Sequence, residues 1–228
     1  MQRYLIMKRN VEEVVRELFN LGDRILRDEI IRDGHVSCSK GCHHCCYLMA
    51  TTSLPEAMLI ARWIDGQNRE SYFLWVTKLL LAAREVSTVT DDAEWFDRQR
   101  ACPFLKDSLC QIYEIRPGCC RWHVVTSPVE QCSLAAGNGA RMLVYNTSRL
   151  DNEAVRLATV IHDGNPQLGK LGVGPIPLAV LWALRFMTRG PQQLELEEAM
   201  QGLPTLHEWS LLRFRRRGEL KRRLPILK

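Results

Sequence analysis

The stretch Cys38-Ser39-Lys40-Gly41-Cys42-His43-His44-Cys45-Cys46 constrains this chain more than any other part of it. Four thiols fall within nine residues, with a Gly before the second and two His between the second and the third. A buried Cys is ordinarily a small hydrophobe, and a packed core gains nothing from four of them in one loop. Thiolates spaced C-x3-C-x2-C have another use. They can fold back on one centre and replace the inner shell of zinc, or hold an iron–sulfur cluster. A second group follows downstream: Cys102, Cys110, Cys119, Cys120 and Cys132. The rest of the chain then reads as the frame that brings the two groups together.

How nine Cys are read depends on the compartment. The first ten residues hold no apolar region long enough for a secretory signal. The longest apolar run, Val173 to Leu184, is too short to cross a bilayer and carries two prolines. The expected compartment is therefore the cytosol, where clustered Cys mean metal binding or redox chemistry rather than disulfides. The odd Cys count and the adjacent pairs Cys45-Cys46 and Cys119-Cys120 also fit a disulfide framework poorly. With 228 residues, 46% of them hydrophobic, the chain is large enough to bury a core and need not rely on metal to fold. Its net charge of +5 is uneven. Between Leu211 and Lys228, Arg213, Arg215, Arg216, Arg217, Lys221, Arg222, Arg223 and Lys228 stand against Glu219 alone, so the basic character belongs to the tail.

Hydrophobic spacing predicts a helix from about Val11 to Ile31, with Asn10 as its N-cap and Asp33-Gly34 as its stop. Ser53-Leu54-Pro55-Glu56 has the spacing of a capping box and opens a second helix that Asp65-Gly66 ends. A third helix is expected from Arg69 to Val86, with Phe73, Val76, Leu80 and Ala83 on one face, and a short turn over Asp91 to Arg98. The polar turn Lys106-Asp107-Ser108 predicts a small hairpin that sets Cys102 near Cys110, and Arg116-Pro117-Gly118 makes a break before Cys119-Cys120. After a Gly-rich stretch (Gly137, Gly139), helices are expected near Asn152–His162, Leu178–Met187 and Leu194–Met200.

Cys42 and Cys45 are a natural chelating pair, which Cys38 can close from the N-terminal side. Adjacent side chains diverge, so Cys45 and Cys46 either serve different centres, or one sulfur bridges two metals, or one is not a ligand. Cys38-x3-Cys42-x2-Cys45-Cys46, Cys102-Pro103-Phe104-Leu105 and Cys110-Gln111-Ile112-Tyr113-Glu114-x-Arg116-Pro117-x-x-Cys120-Arg121 together resemble the YkgJ-type cysteine-cluster family. That family has the short name CxxCxxCC, is described as chelating zinc or iron, and includes the flagellin lysine N-methylases. The resemblance spans roughly Val36 to Cys132, under half of the chain. It implies that Cys38, Cys42, Cys45, Cys46, Cys102, Cys110, Cys120 and Cys132 supply the ligands, with Cys119 an extra. The first gap is three residues here, where the family's short name has two. An iron–sulfur cluster is slightly favoured over zinc, because adjacent Cys are easier to place around several irons than around one ion.

Rival readings are weaker. Radical S-adenosylmethionine enzymes also use C-x3-C-x2-C, but their motif follows a strand and opens an α/β barrel, whereas here a long helix precedes it. The basic tail, with Phe214 among its arginines, is read as a solvated end rather than a nucleic-acid contact. His43 and His44 within the loop, and His35 and His123 beside the two groups, are read as hydrogen-bonding neighbours rather than ligands. Arg116 and Arg121 are assigned to offsetting thiolate charge or capping a carbonyl, and the six Trp to the core or to shielding the centre. Gly169-Lys170 has no Ser or Thr after it, and His207-Glu208 lacks the second His of a zinc peptidase helix.

The expected fold is mainly α: an irregular helical domain with two Cys-rich metal-binding loops over residues 1–135, then a helical C-terminal extension with a basic tail over residues 136–228. The expected function is metal binding, as an iron–sulfur cluster or zinc, in a redox, sensing or carrier role, with an unidentified protein partner and no membrane span. The alternatives are a protein-lysine N-methyltransferase that uses S-adenosylmethionine and an iron–sulfur centre, and a structural zinc module that binds nucleic acid or protein.

Overall fold

The computed structural model describes residues 2–33, 36–89, 92–132 and 172–211. Gly34, His35, Gly137, Gly139, the helix expected near Asn152–His162 and the tail beyond Leu211 lie outside the described residues. The fold is mainly α, as expected from the spacing of apolar residues.

Helix α1 runs over Gln2–Asp33. It starts well before Asn10, which is an interior residue of the helix and not its cap; neither Pro nor Gly interrupts the chain before Gly22. Val11, Val15 and Phe19 enter the main core, while Leu21, Ile25 and Leu26 pack in satellite clusters with Trp122 and Val124. One loop, residues 36–50, carries the first Cys group and contains a 3-10 turn over His44–Tyr47.

The chain then enters strand β1 (Thr51–Ser53) and passes directly into α2 (Leu54–Asp65). Ser53 and Glu56 form the expected capping box: the Ser53 side chain accepts from the Glu56 N–H and the Glu56 carboxylate accepts from the Ser53 N–H. Helix α3 (Arg69–Val86) begins at Asn68, whose side chain accepts the Ser71 N–H at 2.9 Å. Its buried face is Tyr72, Trp75, Val76, Leu79, Ala83 and Val86. The expected face was rotated from this one: Phe73 is exposed, and Trp75 takes the core position because its larger ring closes against Phe104 and Trp63. A short helix α4 (Asp92–Asp97) follows.

Strands β2 (Leu105–Lys106) and β3 (Leu109–Cys110) make the expected hairpin, with Leu105 opposite Cys110. Asp107 and Ser108 both have positive φ, 50° and 61°, as a tight two-residue hairpin turn requires. A 3-10 turn over Tyr113–Ile115 leads to the one-turn helix α5 (Gly118–Arg121), and another turn covers Val129–Cys132.

After the undescribed stretch, β4 (Val173–Pro175) pairs antiparallel with β1, Thr51 opposite Pro175 and Ser53 opposite Val173. Each strand feeds straight into a helix, β1 into α2 and β4 into α6 (Ile176–Met187). This short ribbon therefore sets the two helices side by side. Nearly every residue of α6 is buried, which is why its sequence is apolar all round rather than striped. Helix α7 (Pro191–Ala199) and a helical stretch at residues 206–211 add Leu196, Leu206 and Trp209 to the same core, with Leu206 against Gly174 of β4. No helix among the described residues is long and apolar enough to cross a membrane.

Candidate metal centre

Two sets of contacts bring the Cys-bearing segments together. In the first loop, the Cys42 N–H donates to the Ser39 carbonyl at 3.1 Å, closing a turn in which Gly41 has φ +94°. That left-handed Gly absorbs the third residue between Cys38 and Cys42. The next turn places Cys45 and Cys46 through the Cys46 N–H to His43 carbonyl bond at 2.9 Å. The Cys102 N–H then donates to the Cys46 carbonyl at 2.8 Å, so the second group is docked on the first by its backbone. The Ser37 N–H donates to the Val125 carbonyl at 2.9 Å, and the Val125 N–H donates to Cys38 Sγ at 3.3 Å.

The segment holding Cys119 and Cys120 is anchored twice. Glu56 uses one carboxylate oxygen for the cap of α2 and the other to accept the Gly118 N–H at 2.9 Å. Asp23 of α1 takes Arg121 Nε at 2.8 and 3.0 Å, Arg121 Nη2 at 2.9 Å, and Trp122 Nε1 at 3.2 Å. The fork-to-carboxylate geometry fixes both distance and orientation. Arg121 Nη1 also caps the Glu114 carbonyl at 3.1 Å, as expected for that residue. The Trp122 ring lies against Gly22 and Gly118, and a Cβ at either position would overlap it.

The result is a cavity of about 480 Å³ lined by Cys42, Cys45, Cys46, Cys102, Cys110 and Cys120. Its thiol side comes from three separate segments: the first loop, the hairpin and α5. Cys38 and Cys132 do not line it, but both lie within electrostatic reach of Cys42 and Cys45. Cys119 is exposed, with its sulfur 3.7 Å from that of Cys120. His43 and His44 stack on each other at 5.2 Å and are not part of the cavity wall. His123 is held below its usual pKa by burial. Among the described residues, no three His, Cys, Asp or Glu side chains already stand close enough to grip a single ion. All nine Cys are free thiols.

The thiols differ in acidity for physical reasons. Burial pushes Cys102 up to about 12, partly offset by a hydrogen bond from the Phe104 N–H. Burial also raises Cys38 and Cys110, against hydrogen bonds from Val125 and Ile112 respectively. Cys120 is raised by its hydrogen bond to Cys119 and by burial. In the adjacent pair, Cys46 donates to Cys45, which lowers Cys45 and raises Cys46; the charge of Arg116 lowers Cys45 further. Arg116 acts in the same direction on Cys38, Cys110 and Cys120. Its guanidinium stacks over the Tyr113 ring at 3.9 Å, and its buried Nε has no hydrogen-bond partner. An orphaned buried N–H among thiols is a donor set for negatively charged sulfur. Several thiols, backbone N–H groups aimed at their sulfurs and a buried guanidinium suit a thiolate-ligated metal or cluster better than they suit neutral core thiols.

Sequence reasoning did not assign Asp23 or Glu56 to this region. Glu56 was readable as a capping residue, but its second oxygen reaches Gly118 across 62 positions and leaves no local signal. No curated protein and no solved structure matches the chain. Residues 37–134 match the CxxCxxCC family model, described as a "putative zinc- or iron-chelating domain".

Proposed function

We propose that the chain holds an iron–sulfur cluster or zinc through Cys38, Cys42, Cys45, Cys46, Cys102, Cys110, Cys120 and Cys132, in a redox, sensing or carrier role. The carrying observation is the convergence of six thiols from three segments on one cavity, with the unpartnered Nε of Arg116 beside them. The thiols fall into two sets by mutual electrostatic reach. Cys132 faces Cys38, Cys42 and Cys45, and Cys38 faces Cys42 and Cys45. Cys102 faces Cys120 and Cys110, while Cys46 faces Cys102 and Cys110. Cys45 also lies within reach of Cys102, Cys110 and Cys120, so it links the two sets and all eight thiols converge on one region. Eight thiolates need positive charge nearby, which the metal supplies and Arg116 supplements.

The test is metal and acid-labile sulfide analysis on protein purified without oxygen, with its visible absorption spectrum. Iron with sulfide and a brown colour supports the cluster and a redox role. Colourless protein with zinc replaces it with a closed structural or carrier site. Protein that retains neither metal overturns the proposal. Binding of S-adenosylmethionine by the loaded protein would move the reading to protein-lysine methyl transfer.

A further inference from the structure

Cys119 is the one Cys that the proposed ligand set leaves over. Of the nine thiols it alone is exposed, and its sulfur lies 3.7 Å from that of Cys120, which lines the cavity. An exposed thiol beside a second thiol is the arrangement of a redox sensor: the first meets the oxidant and the second resolves the product. The backbone here can follow such a change. Both residues lie in α5, a single turn held by the Cys120 and Arg121 N–H groups, which donate to the Pro117 carbonyl at 2.9 and 2.8 Å. The turn is clamped at both ends, by Glu56 on the Gly118 N–H and by Asp23 on Arg121. A rearrangement of Cys119 and Cys120 is therefore confined between the clamps.

We propose that Cys119 and Cys120 form a reversible disulfide when a peroxide reaches Cys119, and that this bond withdraws Cys120 from the metal. The second half rests on Cys120 being a ligand, as proposed above; the first half does not. Cys119 Sγ attacks a peroxide oxygen: the S–O bond forms, the O–O bond breaks, and the displaced hydroxide takes the thiol proton and leaves as water. Cys120 Sγ then attacks Cys119 Sγ: the S–S bond forms, the S–O bond breaks, and hydroxide leaves as a second water with a proton from Cys120 or from solvent. The two sulfurs together lose two electrons and the peroxide gains them. Adjacent Cα atoms are about 3.8 Å apart across a trans peptide, closer than the ~4.4–6.8 Å usual across a disulfide. Such a bond is strained and easily reduced, which suits a reversible modification rather than a structural cross-link.

The full-length chain loaded with zinc tests it. Elemental analysis before treatment reads the centre by itself. Equimolar hydrogen peroxide follows, then alkylation of the remaining thiols in denaturant and tandem mass spectrometry. The peptide that carries Cys110, Cys119 and Cys120 should be labelled on Cys110, and unlabelled and two hydrogens lighter at the adjacent pair. Zinc should be lost at the same dose, and dithiothreitol should restore both thiols and zinc binding. Cys119→Ser should keep its zinc at the dose that empties the parent. A disulfide at the pair without loss of zinc upholds the modification site and strikes Cys120 from the ligand set. A chain that holds no zinc before treatment refutes the metal reading, and the mapping still decides the disulfide. The proposal fails if the pair stays reduced, if Cys119 is oxidised and Cys120 does not join it, or if Cys119→Ser loses zinc as readily as the parent.

Discussion

Glu56 joins the N-terminus of α2 to the segment that carries Cys120, and its removal should reach the metal centre from outside it. One oxygen accepts from the Ser53 N–H at 3.0 Å, Ser53 Oγ at 2.8 Å and Thr52 Oγ1 at 3.2 Å. The other accepts the Gly118 N–H at 2.9 Å. Glu56→Ala removes the reciprocal half of the capping box, at about 0.5–2 kcal/mol. It also leaves the buried Gly118 N–H dry, at about 1–3 kcal/mol. A total of about 1.5–5 kcal/mol is a sizeable part of the ~5–15 kcal/mol that holds a domain folded.

Ser53→Ala is the control, because it damages the same cap and leaves Gly118 bonded; it should cost about 1 kcal/mol. Urea unfolding gives the two stabilities, and competition with a chelator gives the metal affinities. Partners that orient a ligand from outside the coordination shell are typically worth about 10–100-fold in metal affinity. Glu56→Ala should show a loss of that order, while Ser53→Ala should bind metal like the parent. Equal affinities in the two variants would refute a positioning role for Glu56 and leave it an ordinary cap.

Cys42→Ser and Cys110→Ser should each lower bound metal, read by elemental analysis, while Cys119→Ser should leave it unchanged; an equal loss from Cys119→Ser would show that the wrong member of the adjacent pair was assigned. Gly22→Ala should destabilise the fold by about 1–3 kcal/mol, because its methyl displaces the Trp122 ring and with it the contact to Asp23; an unchanged urea midpoint would contradict that packing. Stability should depend on pH with opposite sign in the two states of the protein. In the metal-free fold Cys102 keeps its proton to about 12 while the unfolded chain loses its thiol protons near pH 8.5, so unfolding releases protons and stability falls as pH rises above about 8.5. The loaded fold holds thiolates, so the unfolded chain binds more protons and stability rises with pH up to about 8.5; urea midpoints between about pH 6.5 and about pH 10 that run in parallel would contradict thiolate ligation.

What the sequence reveals here follows from how local each cause is. The α2 cap, the span of α3 and the two-residue hairpin turn depend on residues within four positions of one another, and all are as expected. The buried face of α3 depends on which side chains Trp63 and Phe104 can meet, and spacing alone rotated it. The β1–β4 ribbon pairs residues more than a hundred positions apart through strands of three residues, too short for alternation to register. The thiols divide in the same way. That Cys42 and Cys45 belong together is written in their spacing. That Cys46 faces Cys102 and Cys110 depends on one backbone bond, from the Cys102 N–H to the Cys46 carbonyl, and on the anchors that Asp23 and Glu56 give to α5. Neither carboxylate lies near a Cys in sequence. The adjacent pair Cys45-Cys46 therefore sits where the segments meet: the two thiols hydrogen-bond to each other, and Cys45 lies within electrostatic reach of Cys132 on one side and of Cys102, Cys110 and Cys120 on the other, so separate parts of the fold must hold those segments in place. The long α1 and the capped α2 provide that support, which is why a Cys-rich stretch of nine residues stands within a helical frame of this size.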